Sequence, residues 1–279
     1  MKKISLLLLF VAVASLMCGC SNEIKDNNGN SINIVASISS EDVARSPILD
    51  ETGKGNFMKG DIFTLAVSNS ENDCVLNDFI VGTSDLKWDD LNISSGNGKL
   101  IFSACYPKQN INDGKFTFNI STSDEKDLLL AQVGNVAVNS NEPINLNFRH
   151  AMHKLVILYT TDEDMDITTQ CTALSTCEVD LTGNSLSVKG DSKFTSSQSG
   201  KNISFFVVPQ RTSDITLNVN YGNKSKSFSL DEYITKYDVL EGGKIFTLKL
   251  DIKNGDIQIE DPVIGNWGDQ GSVSDDIIM

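Results

Sequence analysis

The chain has 279 residues, of which 37 are acidic and 23 basic, a formal net charge of −14. No Lys/Arg cluster stands out, which argues against nucleic acid as a partner; an acidic chain of this kind instead stays soluble and self-repelling at a cell surface.

The first element is the N-terminus. Met1-Lys2-Lys3 is basic, and residues 4–17 ("ISLLLLFVAVASLM") are uncharged and apolar but for Ser5 and Ser15. That run is too short for a comfortable membrane span and has the layout of a secretory signal. Signal peptidases need small residues before the cut. Gly19 precedes Cys20, whereas bulky Met17 precedes Cys18. Met17-Cys18-Gly19-Cys20 therefore resembles a bacterial lipobox, with cleavage after Gly19 and lipid on Cys20. An ordinary secretory signal containing cysteines is the alternative. Several acyl chains on one cysteine hold a protein to a membrane far better than one chain does. On this reading residues 1–19 are the signal peptide and residues 20–30, polar and Asn-rich, are a flexible tether.

From residue 31 onward the pattern has period two. "SINIVASI" (31–38), "DIFTLAV" (61–67), "KLIFSACY" (99–106), "KFTFNI" (115–120) and "INLNF" (144–148) alternate or run apolar over strand lengths. "KLVILYT" (154–160), "SFFVVP" (204–209), "ITLNVNY" (215–221) and "KIFTLKLDI" (244–252) follow. The intervening clusters "SSGNGK", "NDGK", "LTGNS" and "YGNKSK" read as turns, and the Asp-Gly of "NDGK" predicts a hairpin. Helical periodicity is scarce, with at most a brief turn over residues 148–155. The pattern predicts an all-β chain of antiparallel β-sandwiches. Cleavage after residue 19 would leave 260 of the 279 residues, which suits two tandem domains better than one. The polar "VNSNEP" (138–143) marks the seam, giving domains at 31–143 and 144–279.

Little in these segments points to catalysis. His150 and His153 are three apart, a spacing that could share a metal on a helix, but no third ligand is visible. The strand-like flanks predict one packed imidazole and one exposed. Asp162, Asp164 and Asp166 alternate as in a calcium loop, yet Ile167 and Ala173 stand where such a loop needs Gly and Glu. Cys74, Cys105, Cys171 and Cys177 could form two disulfides in an exported protein, or serve as small buried hydrophobes. No G-x-S-x-G, H-E-x-x-H or phosphate-binding loop is present. The expectation is a binding or assembly protein, not an enzyme, with no cofactor and no metal.

In order along the chain stand the lipobox, "VARSPILD", "FMKGDIFTLAV", "LIFSACYP", "LNFRHAMHKLVI", "FFVVPQ", "GGKIFTLKL" and "VIGNW". This succession resembles the fimbrillin family, the lipoprotein-derived type V pilins of the Bacteroidales, from Cys20 to about Trp267. The resemblance implies two tandem transthyretin-like β-sandwich domains after a lipoprotein signal peptide. It also implies outer-membrane anchoring through Cys20, removal of the first strand by an arginine-specific protease, and refilling of the vacated groove by a strand of another pilin subunit. The fimbrium so built would support adhesion to a host or bacterial surface receptor. Carried onto this sequence, the cleaved bond is Arg45-Ser46; Arg45 is the only arginine before Arg149. The removable strand would present Ile32, Ile34, Ala36 and Ile38 at period two. The polar C-terminal tail departs from a long donor strand, since the alternation of "DIQIEDPVI" (256–264) stops at Pro262. The rival reading is a permanently anchored lipoprotein that binds glycans with Trp88 and Trp267, the only tryptophans.

Overall fold

The computed structural model describes residues 31–38, 57–71, 73–94, 98–162, 164–232, 234, 237–253, 256–259 and 263–266. Gly19, Cys20, Arg45, Ser46 and Trp267 lie outside the described residues. The described chain is almost wholly β, with only single-turn 3-10 helices at Trp88–Leu91, Thr212–Asp214 and Leu230–Glu232. Alternating sequence becomes alternating burial: Ile144–His150 buries Ile144, Leu146, Phe148 and His150 and exposes the residues between them. At the "NDGK" hairpin Asp113 and Gly114 both have positive φ, 48° and 73°, and Asn112 and Lys115 exchange two backbone hydrogen bonds of 2.9 Å.

The N-terminal half is built on a six-stranded sheet. Its order is Ile34–Ile38, Ile144–His150, Leu129–Ala137, Lys99–Tyr106, Ile62–Ser68 and Cys74–Ile80. Its core packs Phe63, Phe102, Leu146 and Phe148 under the Trp88–Leu91 turn. Phe63 and Phe148 meet edge to face with centroids 5.2 Å apart. The C-terminal half is a sandwich of two sheets. One runs Asn202–Val207, His153–Thr161, Lys244–Lys253, with Asp256–Ile259 and Val263–Asn266 both on the far edge of Lys244–Lys253. The other runs Lys193–Ser199, Ile167–Leu174, Thr216–Tyr221, Lys224–Ser229. Leu155, Ile157, Leu217, Val219, Phe246 and Leu248 fill the space between.

Two features differ from the expectation. Most pairings are antiparallel, but Ile34–Ile38 runs parallel to Ile144–His150, and His153–Thr161 runs parallel to Lys244–Lys253. In each half an early strand thus meets a late one in parallel, which no hairpin can join. Second, Ile144–His150 hydrogen-bonds into the first sheet, so the chain passes between halves at Ala151–Met152 rather than at residues 138–143. Residues 148–155 form no helical turn; the chain leaves one strand at His150 and enters the next at His153. Both flanking runs are claimed by sheets, and sheet pairing outweighs local helix formation there.

The halves share a third core. Lys115–Asn119 leaves the N-terminal half to pair antiparallel with Thr176–Asp180, which pairs in turn with Ser185–Val188. Phe116, Phe118, Cys177 and Val179 pack there with Ala151, Met152 and Val208. The motifs named above converge on this junction. Gln210 accepts from Leu174 N at 2.8 Å and donates to Val208 O at 2.9 Å. Gly242 lies where a side chain cannot go: a Cβ would sit 2.5 Å from Ala151 O. Gly243 N donates to Met152 O at 3.0 Å. The order "FRHAMH", "VVPQ", "GGK" therefore records one packed joint.

Candidate functional site

The first described strand clasps the N-terminal half. Ser31–Ile32 pairs antiparallel with Leu86–Lys87, and Ile34–Ile38 then pairs parallel with Ile144–Phe148. Ile144 N donates to Asn33 O at 2.8 Å between the two pieces. One short segment thus touches both layers of the core. Ile32 and Ile38 are buried, Ile34 and Ala36 pack partly buried against the same cluster, and Val35 between them is 44% exposed. The structure brings together all four apolar residues that the sequence assigns to this strand. Among the described residues Ile34–Ile38 is the terminal strand of its sheet, with a neighbour on one side only. Few polar contacts reinforce it: Ser37 Oγ donates to Asn147 Oδ1 at 2.6 Å, and Ser31 Oγ to Asp85 Oδ1 at 3.5 Å. Its attachment is therefore apolar burial plus one five-pair ladder and the short two-pair ladder of Ser31–Ile32.

The next described stretch begins at Phe57. Met58-Lys59-Gly60-Asp61 makes the turn into Ile62–Ser68: Gly60 has φ 101°, Met58 N donates to Asp61 Oδ2 at 2.5 Å, and Gly60 N donates to Val81 O at 3.0 Å. Phe57 packs on Phe148 with centroids 4.7 Å apart, so the core resumes beside the strand that Ile34–Ile38 covers. At the other end of the molecule, "DIQIEDPVI" becomes two short strands, both seated on the protein's own Lys244–Lys253.

The residues weighed for chemistry are absorbed into packing. Both histidines are buried, contrary to the expectation of one exposed ring, because each lies on the inward side of a strand next to the junction. They are held apart by separate partners: His150 Nδ1 is 2.5 Å from Asp127 Oδ2, and His153 Nδ1 donates to Glu241 O at 2.7 Å. Burial pushes the His153 imidazole down to about 4, only partly opposed by its carbonyl partner, so it is neutral and its Nε2 is an acceptor. Burial raises the Asp127 carboxyl above the usual range, while His150 pulls it back. The four cysteines are free thiols. Burial pushes Cys105, Cys171 and Cys177 up to about 12, which removes thiolate reactivity. Trp88 is buried and meets Phe102 edge to face at 6.0 Å, so it cannot serve in a solvent-facing sugar platform. Among the described residues no group of three metal-ligating side chains converges.

Comparison with known proteins places these features in a wider set. A family model described as fimbrillin-like matches residues 67–267. No curated protein sequence matches the chain. Among solved structures, it is similar to a candidate cell-adhesion protein of Bacteroides uniformis, with TM-score 0.62 and 12% identity over 86% of this chain and all of that one. A candidate cell-adhesion protein of Bacteroides ovatus gives TM-score 0.58 and 16% identity, covering 85% of this chain and 98% of that chain. A fimbrial protein of Bacteroides vulgatus gives TM-score 0.50 and 12% identity, covering 85% and 99%. At such identities the likeness is one of fold.

Proposed function

The chain belongs to the fimbrillin-like family, and from that premise we propose that it is a fimbrial subunit or accessory pilin that supports adhesion at the cell surface. It is exported as a lipoprotein, cleaved after Gly19 and anchored in the outer membrane by lipid on Cys20. An arginine-specific protease then cuts Arg45-Ser46 and frees the first strand with its anchor. Other pilin subunits refill the exposed groove by β-strand exchange. The chain carries no enzymatic role in this scheme and needs no cofactor.

One observation carries the reading: the Ser31–Ile32 and Ile34–Ile38 segment is a sheet-edge strand that nevertheless fills a hydrophobic core. Losing it would uncover the side chains beneath Ile32 and Ile38. Each fully buried isoleucine contributes about 1.5–3 kcal/mol, so an empty groove has reason to recruit a replacement strand. Such a strand recovers the main-chain bonds of Ile144–His150 and the alternate apolar pockets together. Contacts of this head-to-tail kind extend into filaments because they do not close.

Limited trypsin treatment tests it. Cutting is expected first at Arg45, with conversion of monomers into a ladder of oligomers on native gels; Arg45→Ala blocks both and leaves the fold intact. A trimmed protein that stays monomeric at high concentration without losing stability overturns strand exchange. Fatty-acid labelling is expected for the wild type and absent in Cys20→Ala; labelling that survives in Cys20→Ala and is lost in Cys18→Ala overturns the lipid site.

A further inference from the structure

The outward face of one C-terminal sheet has an unusual composition. Ile167–Leu174 turns Thr168, Gln170 and Thr172 away from the core, between the buried Thr169, Cys171 and Ala173. Across the ladder on one side these meet Ser199, Ser197 and Thr195. On the other side they meet Asn220, Asn218 and Thr216. The last strand continues the three rows with Ser225, Ser227 and Ser229. Twelve positions in a grid of four strands by three rows are thus all serine, threonine, asparagine or glutamine. The grid holds no charge and no apolar side chain, in a chain with 37 acidic and 23 basic residues. The outer face of the junction sheet shows the ordinary alternative, where Lys189 pairs with Glu178 at 2.7 Å.

The grid is partly knit together. Thr168 and Ser199 hydroxyls lie 2.9 Å apart, those of Thr172 and Thr195 are 2.7 Å apart, and Ser225 Oγ donates to Asn218 Oδ1 at 3.0 Å. At one rim Ser229 Oγ donates to an Asp231 carboxylate. These bonds order the side chains, while most positions on the two outer strands stay exposed. With strands about 4.8 Å apart and alternate residues about 7 Å apart, the face measures roughly 14 by 14 Å.

We propose that this face binds a neutral polysaccharide. Each group on it can both donate and accept, as each sugar hydroxyl can. A charged ligand would find no counter-charge in the grid, and an anionic one would also meet the repulsion of a −14 chain. A protein partner, including a second copy, is disfavoured by composition: the anchors of such interfaces are aromatic, Arg or Met, with serine depleted, and the grid has none of them. Shallow contacts of this kind gain strength when many copies are displayed together. The inference goes beyond assembly and does not depend on strand exchange.

Affinity electrophoresis tests it, with dextran, mannan or a neutral β-glucan in native gels and alginate as the anionic comparison. The wild type is expected to be retarded by at least one neutral polymer, insensitively to salt, and not by alginate. Gln170→Glu/Asn218→Asp puts two near-isosteric carboxylates at the centre of the grid, and binding is expected to weaken about tenfold. Lys249→Glu, on an exposed position of the other sheet, changes net charge by the same amount and should bind as wild type. Absence of retardation by all three neutral polymers, or equal retardation of the double variant, overturns the proposal. A concentration-dependent dimer in sedimentation that the double variant abolishes also overturns it, and assigns the face to a second copy. The trypsin ladder of the double variant reads assembly separately.

Discussion

Each half of the molecule has an early strand that runs parallel to a strand from late in that half, yet the two early strands are held very differently. Ile34–Ile38 has five residue pairs with one neighbour and lies at a sheet edge. His153–Thr161 has eight pairs with Lys244–Lys253 and six with Asn202–Val207, so it is flanked on both sides. The same topological place is peripheral in one half and central in the other. A strand with one ladder and a few apolar side chains can be exchanged for another of similar pattern. A strand with two ladders cannot leave without dismantling its sheet. On the proposed strand exchange, removability is a matter of position in the sheet, since both strands are apolar on their inward side.

The largest expected effect sharpens this comparison by asking whether the halves are independent at all. Phe118 is 1% exposed in the junction core, and Phe118→Ala is expected to cost about 3–5 kcal/mol. Because that core is shared, the loss should lower a single cooperative transition of the whole chain in denaturant titration. Two separate transitions, with only one displaced, would show that the halves fold alone.

Next comes the central strand. Leu155→Ala, at 0% exposed, is expected to cost about 2–5 kcal/mol. The partly buried Ile34→Ala on the edge strand should cost clearly less. Equal losses in the same titration would remove the distinction between central and edge strands.

A smaller effect depends on pH. The His153 pKa falls from 6.5 in the unfolded chain to about 4 in the folded one. Above pH 6.5 the ring is neutral in both states and costs nothing. Between pH 6.5 and about 4 only the unfolded chain takes up the proton, so stability falls with pH, by about 1–3 kcal/mol in total. Asp127 is raised from 3.8, so its stabilising contribution is present below that value and declines as pH rises from there, opposing His153 over part of the window. The difference between wild type and His153→Gln isolates the histidine: the variant's stability should be flatter from pH 6.5 to 4. Identical slopes would mean that His153 titrates normally and that the joint is wet.

The smallest effect is Ser37→Ala, which removes the 2.6 Å bond to Asn147 on an exposed edge. It is expected to change stability by less than about 1 kcal/mol while slightly speeding strand exchange after trypsin. A large stability loss would show that the edge strand is pinned by polar contacts rather than by Ile32 and Ile38.

The sequence by itself determined the strands whose faces contrast in polarity. Lys115–Asn119 is legible from end to end, and so are the "NDGK" hairpin and the four apolar residues of the first strand. In each, hydrophobic alternation at period two leaves one arrangement that buries the apolar side. Cys74–Ile80, Ile167–Leu174 and Lys193–Ser199 were not legible, because threonine, serine and asparagine on one or both faces erase that contrast. The polar grid shows the same limit: its rows exist only through cross-strand register among residues up to 57 apart in sequence, as from Thr168 to Ser225. Tertiary structure alone decided that Ile144–His150 belongs to the first sheet, that Ile34–Ile38 and His153–Thr161 each run parallel to a distant strand of their own half, and that Lys115–Asn119 crosses to the other half. Those choices are made by long-range main-chain pairing and by the apolar area left over once local strands have formed. Neither quantity is encoded in any short stretch of the chain.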